Sequence, residues 1–178
     1  MGVPRVRLYQ DSLFYKRPGD DETLWHTDLA TAPLDTNAFV TVWIPLTLVP
    51  ASDAGGSPLR FLTGSHADRA KDYWYDPHES DDDDAMLARY PVIEDHAPLA
   101  LGDATFHHGW VLHGSPPNRL PEPRIALSLA YTAADARTLG EDALFLPDHE
   151  DEISFEDWLD EVGEGQVIDH SLTPVVYP

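Results

Sequence analysis

The first two thirds of the chain never sustain a helical period. They run instead as short β-branched and aromatic stretches cut by Gly and Pro turns. Val6 to Lys16 is extended and of mixed polarity, ending at Pro18-Gly19. Leu24 to Leu29 reads as a short strand carrying Trp25, His26 and Asp28. Phe39 to Leu46, FVTVWIPL, is a strand whose Pro45 marks an end or an edge. Asp53 to Pro58 is a loop, and Leu59 to Leu62 a further short strand closed by Gly64. Pattern returns at Tyr90 to Ile93, then at Ala104 to His108 and Trp110 to His113, which read as strands or strand ends. After a loop at Pro116-Pro117-Asn118, Ile125 to Tyr131 alternates large and small residues as a buried strand can. So many short strands predict an all-β sandwich or barrel, and the lack of intervening helices argues against a βαβ fold.

Two departures from that pattern are expected. Residues 66 to 90 look like an insertion, where Asp81 to Asp84 followed by AMLARY opens a helix or stays a solvated loop. Ser154 to Val162 predicts a short helix, with Ser154 as N-cap and Phe155, Trp158 and Leu159 on one face. The length suits one domain over 1–178, with its core at about 8–137 and an acidic C-terminal segment at 138–178.

Composition narrows the chemistry. There is no cysteine, so a metal must be held by nitrogen and oxygen. The net charge is −21, from 32 acidic and 11 basic residues, and only Lys16 and Lys71 are lysine. Such a surface repels nucleic acid and anionic membranes. It also repels itself unless salt screens it, which points to a halophilic protein working at high salt, the alternative being an ordinary acidic protein with a charged tail. With no signal-like leader and no long apolar run, a soluble cytoplasmic protein is expected.

The segment Trp25-His26-Thr27-Asp28 carries the chemistry. In an extended strand, residues i and i+2 share a face, so His26 and Asp28 can present an imidazole and a carboxylate together. A third ligand comes from His113, His107 or His108, between which periodicity does not choose. Two histidines and one carboxylate leave three positions open on an octahedral iron(II).

Several motifs in a fixed order carry a resemblance. They are LFYKRPG, WHTDL, VTVWIPL, SPLRFLTGSH and GDATFHHGWVLHGSPPN, then Arg124 before the last core strand. Over about Leu8 to Arg137 the chain resembles the phytanoyl-CoA dioxygenase family of iron(II)/2-oxoglutarate oxygenases. The resemblance implies a double-stranded β-helix, or jelly-roll, with a few short helices. It implies His26, Asp28 and His113 as Fe(II) ligands and Arg124 as the anchor for the distal carboxylate of 2-oxoglutarate. Ser115, Lys16 and Trp43 match positions near that co-substrate. Ser115 would donate to the same carboxylate, and Trp43 would line the pocket.

The implied reaction uses O2 and 2-oxoglutarate, releases succinate and CO2, and hydroxylates an unactivated C–H bond of a small or apolar organic substrate. Because the carboxylate ligand is present, hydroxylation rather than halogenation is expected. The alternatives are a jelly-roll metal-binding module without turnover and a cupin-like metalloenzyme that does not use 2-oxoglutarate. Trp25, Trp74, Tyr75 and Trp110 are candidates for a substrate pocket or for core. His66 should order the loop after its strand, and one of His107 and His108 should point inward behind the ligands. His78, His96, His149 and His170 read as surface residues. The family commonly carries more chain before the segment that opens here, so exposed apolar sheet surface and self-association are expected.

Overall fold

The computed structural model describes residues 1–68, 83–139 and 156–178. In chain order the elements are β1 (Val6–Lys16), β2 (Thr23–His26), the single turn α1 (Asp28–Thr31), β3 (Phe39–Pro45) and β4 (Arg60–Leu62). They continue with α2 (Asp83–Arg89), β5 (Ile93–Glu94), β6 (Thr105–His108), β7 (His113–Ser115), β8 (Arg124–Ala133), α3 (Glu156–Val162) and β9 (Val175–Tyr177). One sheet runs β6-β3-β8-β1-β9 and the other β2-β7-β4-β5. All ladders are antiparallel, and the two curled sheets form the expected jelly-roll. Among the described residues no helix is long and apolar enough to cross a membrane.

The alternation along β8 makes the hollow. Arg124, Ala126, Ala130 and Thr132 are buried, whereas Ile125, Leu127, Leu129 and Tyr131 on the other face are half-buried. Small inward side chains at the centre of the larger sheet leave room between the sheets. Trp43 fills part of it opposite Ser128, with Val49, Leu59, Phe61, Leu99 and Val111 around it. On the outer face, Leu13 pairs with Leu127, Tyr15 with Ile125 and Phe106 with Val42. Leu13, Tyr15 and Phe106 are 66%, 57% and 69% exposed, so apolar surface does lie open on this sheet.

Several local expectations change. The strand carrying His26 stops there, and Asp28 opens α1 instead of continuing the ladder. The reason is a competing hydrogen bond: Leu29 N–H donates to Gly109 O at 3.0 Å, drawing the chain out of register. Thr27 remains extended, at φ −125 and ψ 137, so the two-residue relation between His26 and Asp28 survives. His113 begins a strand rather than ending one, because Val111 N–H donates back to His108 O and makes residues 108–111 a turn. Pro45 is the last residue of β3, which lies inside its sheet, so it marks an end and not an edge.

Helices and termini complete the packing. Asp83 to Arg89 is helical, and Met86 and Tyr90 pack against Trp25, Leu62 and Leu112 on the outer side of the smaller sheet. Trp25 is therefore core rather than pocket wall. Trp110 is half-buried against a second core cluster, its indole N–H donating to Asn37 at 2.7 Å. Trp74, Tyr75, His78, Asp81, Asp82, His149, Ser154 and Phe155 lie outside the described residues. The C-terminal segment joins the core beyond residue 137. Trp158 is buried edge-on to Tyr9, Ile168 is fully buried, and β9 pairs with β1. Buried Arg7 ties this segment down through Thr173 O at 2.6 Å and Asp169 at 3.1 Å.

Candidate metal centre and anion pocket

The smaller sheet sets two imidazoles side by side. His26 and His113 are direct partners in the β2–β7 ladder, with ring centroids 4.2 Å apart. Gly114 permits this approach, since a Cβ there would sit 2.7 Å from Thr23 O. Each ring is fixed by the backbone two residues before it. His26 Nδ1 donates to Leu24 O at 2.8 Å and His113 Nδ1 to Val111 O at 3.1 Å. A carbonyl only accepts, so both rings carry the Nδ1 proton, and the nitrogen left to ligate a metal is Nε2.

The carboxylate arrives from α1. Its turn is seated by Gly109, whose N–H donates to Phe39 O at 3.1 Å while its carbonyl accepts from Leu29. A side chain at 109 would drive a Cβ to 2.7 Å from Leu29 and 2.8 Å from Phe39. Asp28 thereby comes within 3.5 Å of His113 Nε2. Ligand atoms of His26, Asp28 and His113 all lie within 4.8 Å of one another, and this is the metal-capable cluster found among the described residues. One cation with bonds of about 2 Å can join them after small side-chain closure.

Electrostatics favour the ligand forms. Burial works against ionised Asp28. The His107 hydrogen bond, the His113 and His107 rings and the Thr41 hydroxyl outweigh it and hold the carboxyl well below the usual range. Burial, then repulsion from His26, pushes His113 down, so it is neutral at physiological pH. An ionised carboxylate and neutral imidazoles are what a cation requires.

The larger sheet adds a buried cation pair, connected to the metal cluster through Ser115 on β7 and through Trp43 and Phe61. Lys16 and Arg124 are direct partners across β1 and β8, and both are buried. Lys16 Nζ donates to Ser115 Oγ at 3.0 Å and Pro116 O at 2.9 Å. Ser115 Oγ in turn donates to Thr23 Oγ1 at 3.0 Å, so its hydroxyl is engaged by Lys16 and Thr23. The Arg124 guanidinium lies over Trp43, 5.4 Å from the ring centroid, and Nη1 donates to Ser57 O at 2.8 Å. Its Nε is buried with no hydrogen-bond partner. A guanidinium has five donors and an ammonium three. An anion in the hollow would therefore meet unengaged donors, and a 2-oxoglutarate carboxylate fits this need. Burial lowers Arg124 to about 10, leaving it charged at neutral pH.

Of the seven residues singled out in the sequence, His26, Asp28 and His113 come together as one cluster and Lys16, Ser115, Arg124 and Trp43 lie beside one another, although Ser115 donates to Thr23 instead of standing free for a carboxylate. Two further contributors were not singled out. Thr41 donates to Asp28 Oδ2 at 2.5 Å. Buried Asn118 donates to Lys16 O, Arg17 O and Glu122 O, joining the end of β1 to the turn before Arg124. Sequence alternation along FVTVW would have put Thr41 on the face of Trp43, and Asn118 sits inside the SPPN motif. His107 points inward to Asp28 at 3.1 Å. His66 is exposed, and it is Ser65 that orders the neighbouring chain by accepting from Leu112 N–H. His96 is exposed as expected, although its ring lies 5.8 Å from that of Phe61. His170 is more covered than expected, with a side chain 17% exposed and 3.0 Å from Glu161.

Comparison with known proteins gives the family and the fold. A profile of the phytanoyl-CoA dioxygenase (PhyH) family matches residues 3–126. A curated protein of Stutzerimonas stutzeri named "Probable alpha-ketoglutarate-dependent hypophosphite dioxygenase" is 30% identical over 139 residues. That match covers 74% of this chain and 46% of the relative, so the chain spans about half the relative's length. The fold is shared with the non-heme alpha ketoglutarate dependent carbocyclase SnoK of nogalamycin biosynthesis, at TM-score 0.75 and 24% identity. That superposition covers 98% of this chain and 63% of SnoK. The epimerase SnoN, in complex with Fe3+, alpha ketoglutarate and nogalamycin RO, gives TM-score 0.70 at 23% identity, covering 96% and 65%.

Proposed function

The chain belongs to the phytanoyl-CoA dioxygenase family, and from that premise we propose that it is an Fe(II)- and 2-oxoglutarate-dependent dioxygenase hydroxylating an unactivated C–H bond of a small or apolar organic substrate. One observation carries this reading. His26, Asp28 and His113 converge to within 4.8 Å of one another, and Arg124, whose buried Nε has no partner, lies over Trp43 in the cluster with Phe61, whose ring packs near His113. A metal-binding module without turnover has no need of a buried cation pair behind its metal.

The three ligands would hold iron on one face, and the iron would supply O2 activation with two-electron oxidation of the co-substrate. The protein's own residues do the rest. Arg124 and Lys16 bind and orient the distal carboxylate, as a planar fork and a point charge. Trp43, Phe61, Val49 and Leu99 form an apolar wall that keeps water from the reacting centre. The net charge of −21 disfavours anionic thioesters, so a small or apolar substrate is the reading that fits.

The test is an anaerobic titration with Fe(II) and 2-oxoglutarate, followed by exposure to O2. A weak visible charge-transfer band and succinate formation in step with O2 uptake are expected. Metal binding with neither band nor succinate would leave the binding module as the better description.

A further inference from the structure

The larger sheet contributes one more cross-strand pair to the metal centre. Thr41 on β3 and His107 on β6 are direct partners, and both are buried. Both reach the same atom. Thr41 Oγ1 lies 2.5 Å from Asp28 Oδ2, and His107 Nε2 lies 3.1 Å from it. The other oxygen, Oδ1, is the one facing His113 Nε2, at 3.5 Å.

We infer that Thr41 and His107 are positioning residues that clamp Asp28 Oδ2, so that the carboxylate offers a metal Oδ1 alone. The inference rests on reading His26, Asp28 and His113 as the metal ligands. The chemistry follows from lone pairs. An ionised carboxylate accepts through both oxygens and can bind a cation through one or both. Two donors on Oδ2 occupy the lone pairs that a second metal bond would need. Ligation through Oδ1 alone leaves three coordination positions open, enough for a two-atom chelate and O2. Ligation through both oxygens would close one.

His107 cannot easily turn away. Its ring is packed against Phe61 at 5.3 Å and His113 at 4.4 Å between centroids. Its Nδ1 is buried without a hydrogen-bond partner, which suits the tautomer with its proton on Nε2, directed at Asp28. The clamp also ties the sheets together, since the carboxylate comes from the β2 end and both donors from the opposite sheet.

The experiment measures Co(II) affinity anaerobically by its visible absorption, with Thr41→Val, Thr41→Ser, His107→Phe and Asp28→Ala. Thermal melts of the metal-free proteins check folding. Thr41→Val and His107→Phe should each weaken Co(II) binding by about 10- to 100-fold. Thr41→Ser, which keeps the hydroxyl, should bind within about threefold of the parent, on the same scale of effects. In the Asp28→Ala background Thr41→Val should change the residual affinity by less than about twofold, because a clamp acts only through what it holds. Parent-like affinity in both Thr41→Val and His107→Phe, with loss in Asp28→Ala, overturns the clamp and keeps the ligands. An equal Thr41→Val effect with and without Asp28 overturns it too, as general disturbance. Parent-like affinity in Asp28→Ala is a separate failure, that of the ligand assignment itself.

Discussion

Two cross-strand pairs carry the candidate site, and they are finished to different degrees. In the His26–His113 pair every nitrogen not needed by a metal is already bonded to the backbone. In the Lys16–Arg124 pair two like charges sit side by side, and Arg124 Nε is buried without an acceptor. The first pair is complete apart from its cation. The second is held against its own repulsion, and a dianion relieves both the repulsion and the missing acceptor. The imidazoles of the metal end are therefore preorganised by backbone hydrogen bonds, whereas the anion end is preorganised by stored charge. Electrostatic strain of this kind strengthens ligand binding only where the ligand completes it.

The largest effect separating the two ends should come from the imidazoles. His113→Ala removes a buried ligand that the backbone has already oriented, so Fe(II) content after anaerobic loading should fall to background. Arg124→Leu should leave that content unchanged while weakening 2-oxoglutarate binding by about 100-fold, the scale of truncating one partner of a buried charged hydrogen bond. The measurement is metal analysis beside the charge-transfer titration on each variant. If Arg124→Leu lost iron as completely as His113→Ala, the two ends would not be separable and the contrast drawn above would fail.

That contrast was only half legible in the sequence. The buried strand was readable, because IALSLAY alternates large and small residues, and its small residues now lie on the inner face of β8. His26 and Asp28 were readable as a pair from their spacing, yet the reason given, a continuous strand, does not hold. A hydrogen bond to Gly109, eighty residues away in the sequence, bends the chain there, and no local pattern encodes a partner at that distance. His113 could not be told from His107 and His108 by periodicity. The family motif selected it, and the turn at 108–111 explains the choice by putting it in a different sheet from the other two. Thr41 was passed over because a threonine in a strand is ordinary, and its value lies in register with His107. The C-terminal contribution to the core was missed for a similar reason. The helix near Ser154 to Val162 and its apolar face with Trp158 and Leu159 were legible, but the core was expected to end near residue 137, because the contacts that bring Trp158 and Ile168 against Tyr9 and its neighbours are tertiary.

The smallest and most discriminating effect concerns Lys16. Burial first, then the adjacent Arg124, lowers its pKa from 10.5 to about 8. Below that value the ammonium is charged and contributes to holding a carboxylate. As pH rises through about 8 the charge is lost, and with it that share of 2-oxoglutarate affinity. Stability of the ligand-free protein should move the other way. The unfolded chain keeps its lysine proton up to about 10.4, so between the two values it binds more protons than the folded one, and stability rises with pH there. Lys16→Met should flatten both trends at once. The expected loss of 2-oxoglutarate affinity at pH 7 is about tenfold, that of one partly screened charged contact. Titrations and melts of parent and variant at pH 7, 8 and 9 read both slopes. Parallel slopes in the two proteins would mean that Lys16 does not face the anion, and that Arg124 alone holds this end of the hollow.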